Sequence, residues 1–198
     1  MDQPVGQFLD QLAARIAAPS GGGGAAVTAA IAAGLVAMVA RFSDAQLPAA
    51  VGLADRADLL CRRAAALADE DASAYQAVLD AYALPAAIGQ RRQRIREALQ
   101  GAAAIPLEIA EIAAQVADMA RLAEAEGNPN LRGDATVAAL LADAAARCAA
   151  CLVDINVDQG ALDPDLSRRA ALSAAAAHPV ARQIATSIHN TPNQDSIG

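Results

Sequence analysis

The stretch Ala18–Ala40, APSGGGGAAVTAAIAAGLVAMVA, places four consecutive glycines directly before a run of small apolar residues. Residues 21–40 carry no charged side chain. We therefore predict a glycine loop, Gly21–Gly24, that leads into a buried central helix ending near Phe42. Glycine lets a backbone come close to another group, and the first N–H groups of a helix attract anions and carbonyl oxygens. Tight packing against a neighbouring helix explains the same small residues, so both interpretations stay open on this stretch alone.

The composition is typical of a helical domain. The 198 residues are 55% hydrophobic but only 2% aromatic, with no tryptophan. Such a core of small aliphatic side chains suits close helix packing, and no segment shows the alternating pattern of a strand. We predict one all-α domain over residues 1–198, a helical bundle around the buried central helix, with residues 191–198 as a frayed tail.

Charge and cysteine content narrow the class of protein. The net charge of −7 argues against a nucleic-acid partner, and all fifteen basic residues are arginine. Three cysteines, an odd number, and no secretory signal pattern indicate a reducing cytoplasm. The uncharged run is short and rich in alanine, so we predict a core helix and no membrane span.

Apolar periodicity and prolines predict the other helices. Asp2 is expected to cap a first helix that Pro19 ends, and Pro106 is expected to kink or divide a later one. The remaining helices are predicted over residues 49–83, 88–126 and 134–157, with two short helices starting at Asp163-Pro164 and His178-Pro179.

Asp71 is the candidate for chemistry that the residues themselves indicate. Positions 53, 57, 60, 64, 67, 71, 74, 78 and 81 share one helix face, and Asp71 is its only charged member. A carboxylate facing a core is costly unless it is paired or used. Desolvation would raise its pKa and suit it to general acid–base catalysis. Arg92 is likewise the one cation on the apolar face predicted for the next helix.

Other candidates have simpler explanations. Cys148 and Cys151 form a CxxC pair without a second pair, and we predict that both pack in the core on the apolar face that also holds Val137 and Ile155. Asn128 and Asn130 flank a proline as turn residues do. Asp134 alone complements a helix dipole. His178 and His189 are the only histidines, so we predict no metal site.

Several short segments, in this order and spacing, resemble one family. The chain from Phe8 to about Leu162 is similar to the cyclodeaminase/cyclohydrolase family of folate enzymes, found alone or as the second domain of formiminotransferase-cyclodeaminase. The segments are GGGGAA at Gly21–Ala26, DASAY at Asp71–Tyr75, ALP at Ala83–Pro85, the arginine-led stretch Arg94–Leu107, and GNPNLRGD at Gly127–Asp134.

This resemblance implies an all-α homodimer whose folate site is lined by the glycine loop and the asparagine-rich loop. It implies either hydrolysis of 5,10-methenyltetrahydrofolate to 10-formyltetrahydrofolate or cyclisation of 5-formiminotetrahydrofolate with loss of ammonia. Hydrolysis is favoured slightly, because no formiminotransferase domain is present in the sequence. Folate is the substrate in both cases, and no metal or further cofactor is expected.

The resemblance also implies roles for individual residues. Asp71 would transfer protons, with Asp134 as the second carboxylate. The pterin or the bridging carbon would be held by Gly22, Gly23, Gly24, Asn128, Asn130 and Asn156. Arg92 or Arg94 would pair with the glutamate of the folate.

The sequence departs from the family pattern at several positions, and most of these are basic in the family. Ser43–Pro48 stands where the family has a lysine-rich stretch, Ala86 replaces a lysine, and Ser20 replaces a proline. Arginine cannot replace a lysine that must give up a proton. Two alternatives therefore stay open: the fold acts on a non-folate amidine or imine substrate, or it is a non-catalytic, dimeric helical binding protein.

Overall fold

The protein is a bundle of six α-helices in the computed structural model, which describes residues 3–86 and 89–189, apart from the side chains of 187–189. They are α1 (Val5–Ala13), α2 (Gly21–Arg41), α3 (Ala50–Ala83), α4 (Arg91–Glu126), α5 (Arg132–Gly160) and α6 (Asp165–His189), with a 3₁₀ turn at Pro129–Leu131. Within those described ranges there is no strand. The predicted all-α class is confirmed.

Helix α2 lies at the centre of the bundle and packs against α3, α4 and α5. Its inward residues, among them Ala26, Ala29 and Val36, are fully buried. The alanines among them let neighbouring helices approach closely, and the burial of this face confirms the predicted central helix. Burial is not complete, however, because Ile31 is 52% exposed on the outer side.

The predicted glycine loop is wrong, because the glycines form the first turn of α2. Ser20 precedes the helix in an extended conformation, and Gly21 is already helical. Glycine is a poor helix former, so this turn needs support from elsewhere. That support comes from α3, as described below.

Helices α3 and α4 confirm most of their predicted faces. Leu53, Leu67 and Val78 of α3 are buried, and so are Leu99 and Val116 of α4. Helix α4 runs undivided past Pro106. The predicted start of this helix at residue 88 falls outside the described residues.

The predicted inner face of α5 is wrong. Val137 and Ile155 are 47% and 45% exposed, and Cys148 and Cys151 are exposed free thiols. The side that packs on α2 and α4 consists instead mainly of alanines, with Val153 and Val157 at its C-terminal end. This inner side also buries Thr136 and Asp143, the latter paired with His178 and Arg147. The small alanine side chains allow the closer helix contact.

The two ends of the chain also differ from expectation. Helix α1 follows Pro4 and ends at Ala13, well before Pro19. The predicted cap Asp2 and the predicted tail 191–198 lie outside the described residues. No helix starts at His178-Pro179, because Pro179 lies inside the single helix α6, where packing on α4 and α5 offsets the missing hydrogen bond.

Within the part of the chain that the structure describes, two segments, Gly21–Arg41 and Pro129–Gly160, are long and apolar enough to cross a membrane by length and composition. About half of each apolar window, 56%, is buried inside the bundle. Core helices of soluble proteins pass the same test, so this composition is weak evidence for a membrane span.

Candidate active site

Asp71 of α3 caps the N-terminus of α2. Its Oδ2 accepts a hydrogen bond from the backbone N–H of Gly23 at 3.0 Å and another from the Ser20 hydroxyl at 3.0 Å. Gly23 is the third residue of α2, so the carboxylate satisfies one of the N–H groups that have no partner within the helix. The positive end of the helix dipole favours a negative group at this point. This contact supplies the support that the glycine turn needs.

The lack of a side chain at Gly22 allows the Asp71 carboxylate to come close to the start of α2. A Cβ atom at residue 22 would lie 2.0 Å from Oδ1 of Asp71, a distance that no real contact allows. At Gly23 a Cβ would make only ordinary contacts, and at Gly24 it would meet nothing within 4 Å. Of the three glycines predicted to bind substrate, Gly22 is therefore the one whose missing side chain the Asp71 contact requires.

A cavity of about 270 Å³ opens beside this contact. Four helices and the residue before α2 contribute to it, and its polar side chains come from Ser20 as well as from α3 and α5. It is lined by Ser20, Gly21, Gly22, Asp71, Tyr75, Val78, Ala102, Pro106, Leu152, Ile155, Asn156 and Gln159. Gly23 and Gly24 are not part of this wall. The cavity thus brings together three predicted site residues: Gly22, Asp71 and Asn156.

Pro106 and Asn156 are linked across this cavity. A proline has no N–H, so the carbonyl of Ala102, four residues before Pro106, loses its helical donor. The side-chain Nδ2 of Asn156 donates to that carbonyl at 3.1 Å. Asn156 is thereby held in place with its amide oxygen still able to accept a hydrogen bond. The proline that the sequence marks as a kink thus positions a side chain of α5.

Burial raises the pKa of the Asp71 carboxyl above its ordinary value, because the ionised form loses hydration. The hydrogen bonds from Ser20 and Gly23 act in the opposite direction and are the smaller effects. Asp71 consequently keeps a proton to a higher pH than an exposed aspartate does. A carboxyl of this kind suits proton transfer to and from a substrate.

The asparagine-rich loop lies elsewhere. The Asn128 backbone N–H donates to the Ser43 hydroxyl at 2.8 Å, its Nδ2 donates to the Phe42 carbonyl at 3.1 Å, and its Oδ1 accepts from the Asn130 backbone N–H at 3.0 Å. These bonds hold the loop at the C-terminal end of α2.

The two ends of α2 are far apart. Its 21 residues correspond to about 30 Å at about 1.5 Å per residue. Asp134, in the first turn of α5, lies at the same end as Asn128. Within one chain, therefore, the asparagine-rich loop and Asp134 do not line the cavity that holds Asp71.

The two arginines predicted to bind the glutamate of the folate lie outside the Asp71 cavity and in different surroundings. A groove of about 630 Å³ lies farther along α3 and α4, towards their connection. Its wall consists of Ala77, Asp80, Ala81, Leu84, Gln90, Arg94, Glu97 and Ala98. Arg94 belongs to this wall, whereas Arg92 is exposed and does not. The prediction that Arg92 lies on a buried face is wrong, because the first turn of α4 extends beyond the core.

Among the cavity-lining side chains that can form hydrogen bonds, three were not predicted as site residues: Tyr75, Ser20 and Gln159. Tyr75 lies four residues after Asp71 and so on the same helix face, a signal that was available. Ser20 and Gln159 carried no such signal. No group of three His, Cys, Asp or Glu side chains suited to a metal ion occurs among the residues that the structure describes.

Comparison with known proteins places the chain in a family. The family model described as formiminotransferase-cyclodeaminase matches residues 4–178. The methenyltetrahydrofolate cyclohydrolase of Methylorubrum extorquens is 33% identical over 165 residues, which cover 78% of this chain and 79% of that protein. The mouse formimidoyltransferase-cyclodeaminase is 32% identical over 131 residues, 59% of this chain and 23% of the mouse protein.

A solved structure shows the same fold. The formiminotetrahydrofolate cyclodeaminase of Thermotoga maritima superposes with a TM-score of 0.84 at 22% identity, over 95% of this chain and 96% of that one. The match extends across the helices that build the cavity. Together with the family model and the Methylorubrum relative, it leads to one conclusion: the chain belongs to the formiminotransferase-cyclodeaminase family.

Proposed function

We propose that this protein is a folate one-carbon enzyme that hydrolyses 5,10-methenyltetrahydrofolate to 10-formyltetrahydrofolate. The observation that carries the proposal is a half-buried carboxyl of raised pKa, Asp71, held by two hydrogen bonds at the edge of a cavity. The cyclohydrolase relative, which matches most of both chains, supports hydrolysis over cyclisation.

The chemistry needs one group that takes a proton and then returns it. In the substrate, the carbon that bridges N5 and N10 is an electrophilic amidinium carbon. Ionised Asp71 accepts a proton from a water molecule as the water oxygen bonds to that carbon, which becomes tetrahedral. Protonated Asp71 then donates to N5 as the bond from N5 to this carbon breaks. The hydroxyl proton leaves to solvent, the formyl group stays on N10, and one proton is released overall.

A spectroscopic assay tests this proposal. The purified protein is mixed with methenyltetrahydrofolate, and loss of the near-ultraviolet absorbance of the substrate is followed. The formimino compound is then offered, and appearance of the same absorbance reports cyclodeaminase activity. We expect loss in the first assay. Activity on neither compound would refute the folate function, and tight folate binding by calorimetry without turnover would indicate a binding protein.

Arg94 is proposed to bind the glutamate carboxylates of the folate. From Asp71 to Asp80, which lies in the groove wall beside Arg94, helix α3 rises about 14 Å. This distance suits a substrate whose pterin occupies the cavity and whose tail follows the groove. The two carboxylates in the same groove wall, Asp80 and Glu97, accept hydrogen bonds from Gln76 and Gln93. No ion pair to Arg94 occurs among the described side chains, so its guanidinium is available to a ligand.

Substitution of Arg94 by alanine is therefore expected to raise KM with little change in kcat. An ion pair in an open groove is worth about 1 kcal/mol, so KM rises roughly fivefold. Arg92→Ala is the matched control, since Arg92 lies two residues away outside the groove wall. Steady-state kinetics with both variants provide the measurement. Equal KM values for the two variants would show that the tail does not bind at Arg94.

We also propose a homodimer, formed through the outer stripe of α5, which we define as Val137, Leu140, Ala144, Cys148, Cys151 and Ile155. It is continuous with an apolar groove of about 390 Å³ between α1, α2 and α5. Val137, Leu140 and Ile155 are each 45–47% exposed, and Ile31 of α2 is 52% exposed beside them. Contiguous exposed apolar side chains of this kind support association with a second copy of the chain.

A twofold axis across this stripe would complete the site. Asp134 lies near one end of the stripe, and Ile155, which lines the Asp71 cavity, lies at the other. An axis midway, near Ala144, would pair α5 with its copy in antiparallel fashion. Asp134 of one protomer would then lie beside the cavity of its partner, with the asparagine-rich loop close by. This arrangement gives Asn128, Asn130 and Asp134 a route to the substrate that a single chain does not offer.

Leu140→Glu is expected to convert the dimer to a monomer, because it places two carboxylates near the twofold axis of an apolar contact. Turnover should fall with the dimer if the partner contributes to the site. Val51→Glu, at a 73% exposed position of α3, serves as the control. Light scattering after size-exclusion chromatography reports the mass, and a Leu140→Glu variant that remains dimeric would refute this interface.

We propose that the protein acts in the cytoplasm. All three cysteines are free, and Cys148 and Cys151 are exposed. Exposed free thiols persist in a reducing compartment.

A further inference from the structure

Ser20 uses its side chain in an uncommon way for the residue that precedes a helix. A serine at this N-cap position ordinarily accepts a hydrogen bond from the N–H of the second or third helical residue. Ser20 has the extended backbone of an N-cap, with φ −126° and ψ −168°, but its side chain makes no such bond. Asp71 accepts from the Gly23 N–H instead, and the Ser20 hydroxyl donates to Asp71.

Both hydrogen bonds end on the same carboxylate oxygen. The Ser20 hydroxyl and the Gly23 N–H each lie 3.0 Å from Oδ2 of Asp71. An oxygen that accepts two hydrogen bonds is a poor place for a further proton. The other oxygen, Oδ1, accepts no hydrogen bond among those described, and it lies over Gly22, where no side chain intervenes. A proton on Asp71 is therefore expected on Oδ1.

We propose that Ser20 is a positioning residue, which fixes Oδ2 of Asp71 so that Oδ1 is the oxygen that exchanges protons with the substrate. The inference rests on the proposed function, because it assigns the working atom of the same carboxyl. The Gly23 N–H cannot orient the carboxylate alone, because a carboxylate held by one hydrogen bond can still rotate about the Cβ–Cγ bond of Asp71. The Ser20 hydroxyl supplies the second hydrogen bond that fixes the position of Oδ2.

Few other charges act on Asp71. Residues 21–40 of α2 are uncharged, and the walls from α4 and α5 present Ala102, Pro106, Leu152, Ile155, Asn156 and Gln159. On α3 itself, Tyr75 faces the cavity, and the neighbouring Glu70 pairs with Arg63. Ser20 is therefore the side chain whose removal should change the acidity of Asp71 most directly, and its hydrogen bond favours the ionised form.

The test compares Ser20→Ala and Ser20→Thr with the parent protein. Carbon-13 NMR follows titration of the Asp71 carboxyl, and its signal is assigned by its absence in Asp71→Asn. We expect Ser20→Ala to titrate at higher pH, and the acid limb of the kcat/KM profile to move upward with it. In the pH range where the rate no longer changes with pH, we expect kcat to fall roughly tenfold because the carboxyl is less constrained. KM should stay unchanged. Threonine retains a hydroxyl, so Ser20→Thr should restore both the titration of Asp71 and the kcat of the parent protein.

Each outcome has a definite meaning. A Ser20→Ala protein with the titration and pH profile of the parent would overturn the proposal. Ser20→Gly provides a second hydroxyl-free variant if alanine impairs folding, because glycine is well tolerated at this position. If no variant, including the parent, turns over methenyltetrahydrofolate, the proposed function fails. The NMR titration then still decides whether Ser20 controls Asp71.

Discussion

Replacement of Asp71 by asparagine is expected to lower kcat by about 10²- to 10⁴-fold, the usual contribution of a general acid–base group. Asparagine has the same size, and its amide oxygen still accepts from the Gly23 N–H and the Ser20 hydroxyl. It cannot take a proton from water or return one to N5. The helix start at Gly21 should therefore survive while proton transfer is lost. Stopped-flow and steady-state absorbance with methenyltetrahydrofolate provide the measurement.

The same substitution should raise stability at neutral pH. The pKa of Asp71 is higher in the folded protein than in the unfolded chain, so the folded state favours the protonated form. Protonated Asp71 therefore contributes its full stabilisation at pH values below the pKa that Asp71 has in the unfolded chain. This stabilisation is lost as the pH rises through the pKa that Asp71 has in the folded protein. Asparagine carries no charge to desolvate. Thermal melting should thus show a higher Tm for Asp71→Asn at pH 7, and the difference should shrink at acidic pH.

Asp55→Asn is the matched control for both effects, since Asp55 is an exposed aspartate on the same helix. It should leave both turnover and the Tm at pH 7 unchanged. Wild-type turnover by Asp71→Asn would show that another group transfers the proton. Loss of the folded state, detected by circular dichroism, would show that the charge itself is needed to cap α2.

Substitution of Gly22 by alanine is expected to be the most damaging change in the glycine turn. The new Cβ would lie 2.0 Å from Oδ1 and 2.4 Å from Cγ of Asp71, so the carboxyl must move. That movement breaks its hydrogen bonds to Ser20 and Gly23 and misplaces the proton-transfer group. We expect kcat to fall by about 10²-fold and the free energy of unfolding to fall by about 1–3 kcal/mol, as for other overpacked sites.

A glycine with open space around it is the control. Gly52 of α3 is exposed and helical, and a Cβ there would meet nothing within 4 Å. Gly52→Ala should stabilise the protein by about 0.5–1 kcal/mol, because alanine loses less conformational freedom in a helix. Denaturant unfolding and the absorbance assay separate the two variants. A fully active Gly22→Ala protein would show that the close approach of Asp71 is not required for turnover.

The most informative feature of the sequence was a single charged residue, Asp71, on an otherwise apolar helix face. The face of α3 that carries Leu67 and Val78 is apolar at every other position, so Asp71 stood out by periodicity alone. The uncharged run after Gly24 identified the central helix for a similar reason. In both cases one face of a helix has a single chemical character, and a periodic pattern then predicts which residues turn inwards.

Helix α5 shows where this reasoning stops. One of its faces consists mainly of alanines and also carries Thr136 and Asp143, whereas the other has Val137, Leu140 and Ile155. Hydrophobic periodicity therefore favours the face that the structure leaves exposed. Packing chose the alanine face, because small side chains let α5 approach α2 and α4 closely. The larger side chains were left outside, together with Cys148 and Cys151. The choice depends on the shape of the neighbouring helices, which no local pattern in α5 contains.

The chain by itself determined the helical class, the central helix and the candidacy of Asp71, because each depends on residues close together in sequence. Only the tertiary structure decided what Asp71 contacts. Ser20 and Gly23 lie 51 and 48 residues away along the chain, and Asn156 lies 54 residues from the carbonyl that Pro106 leaves free. Hydrogen bonds of this kind form where packed helices bring single atoms together. Periodicity predicts which face of a helix is buried, whereas the atom that each side chain meets depends on how the helices pack.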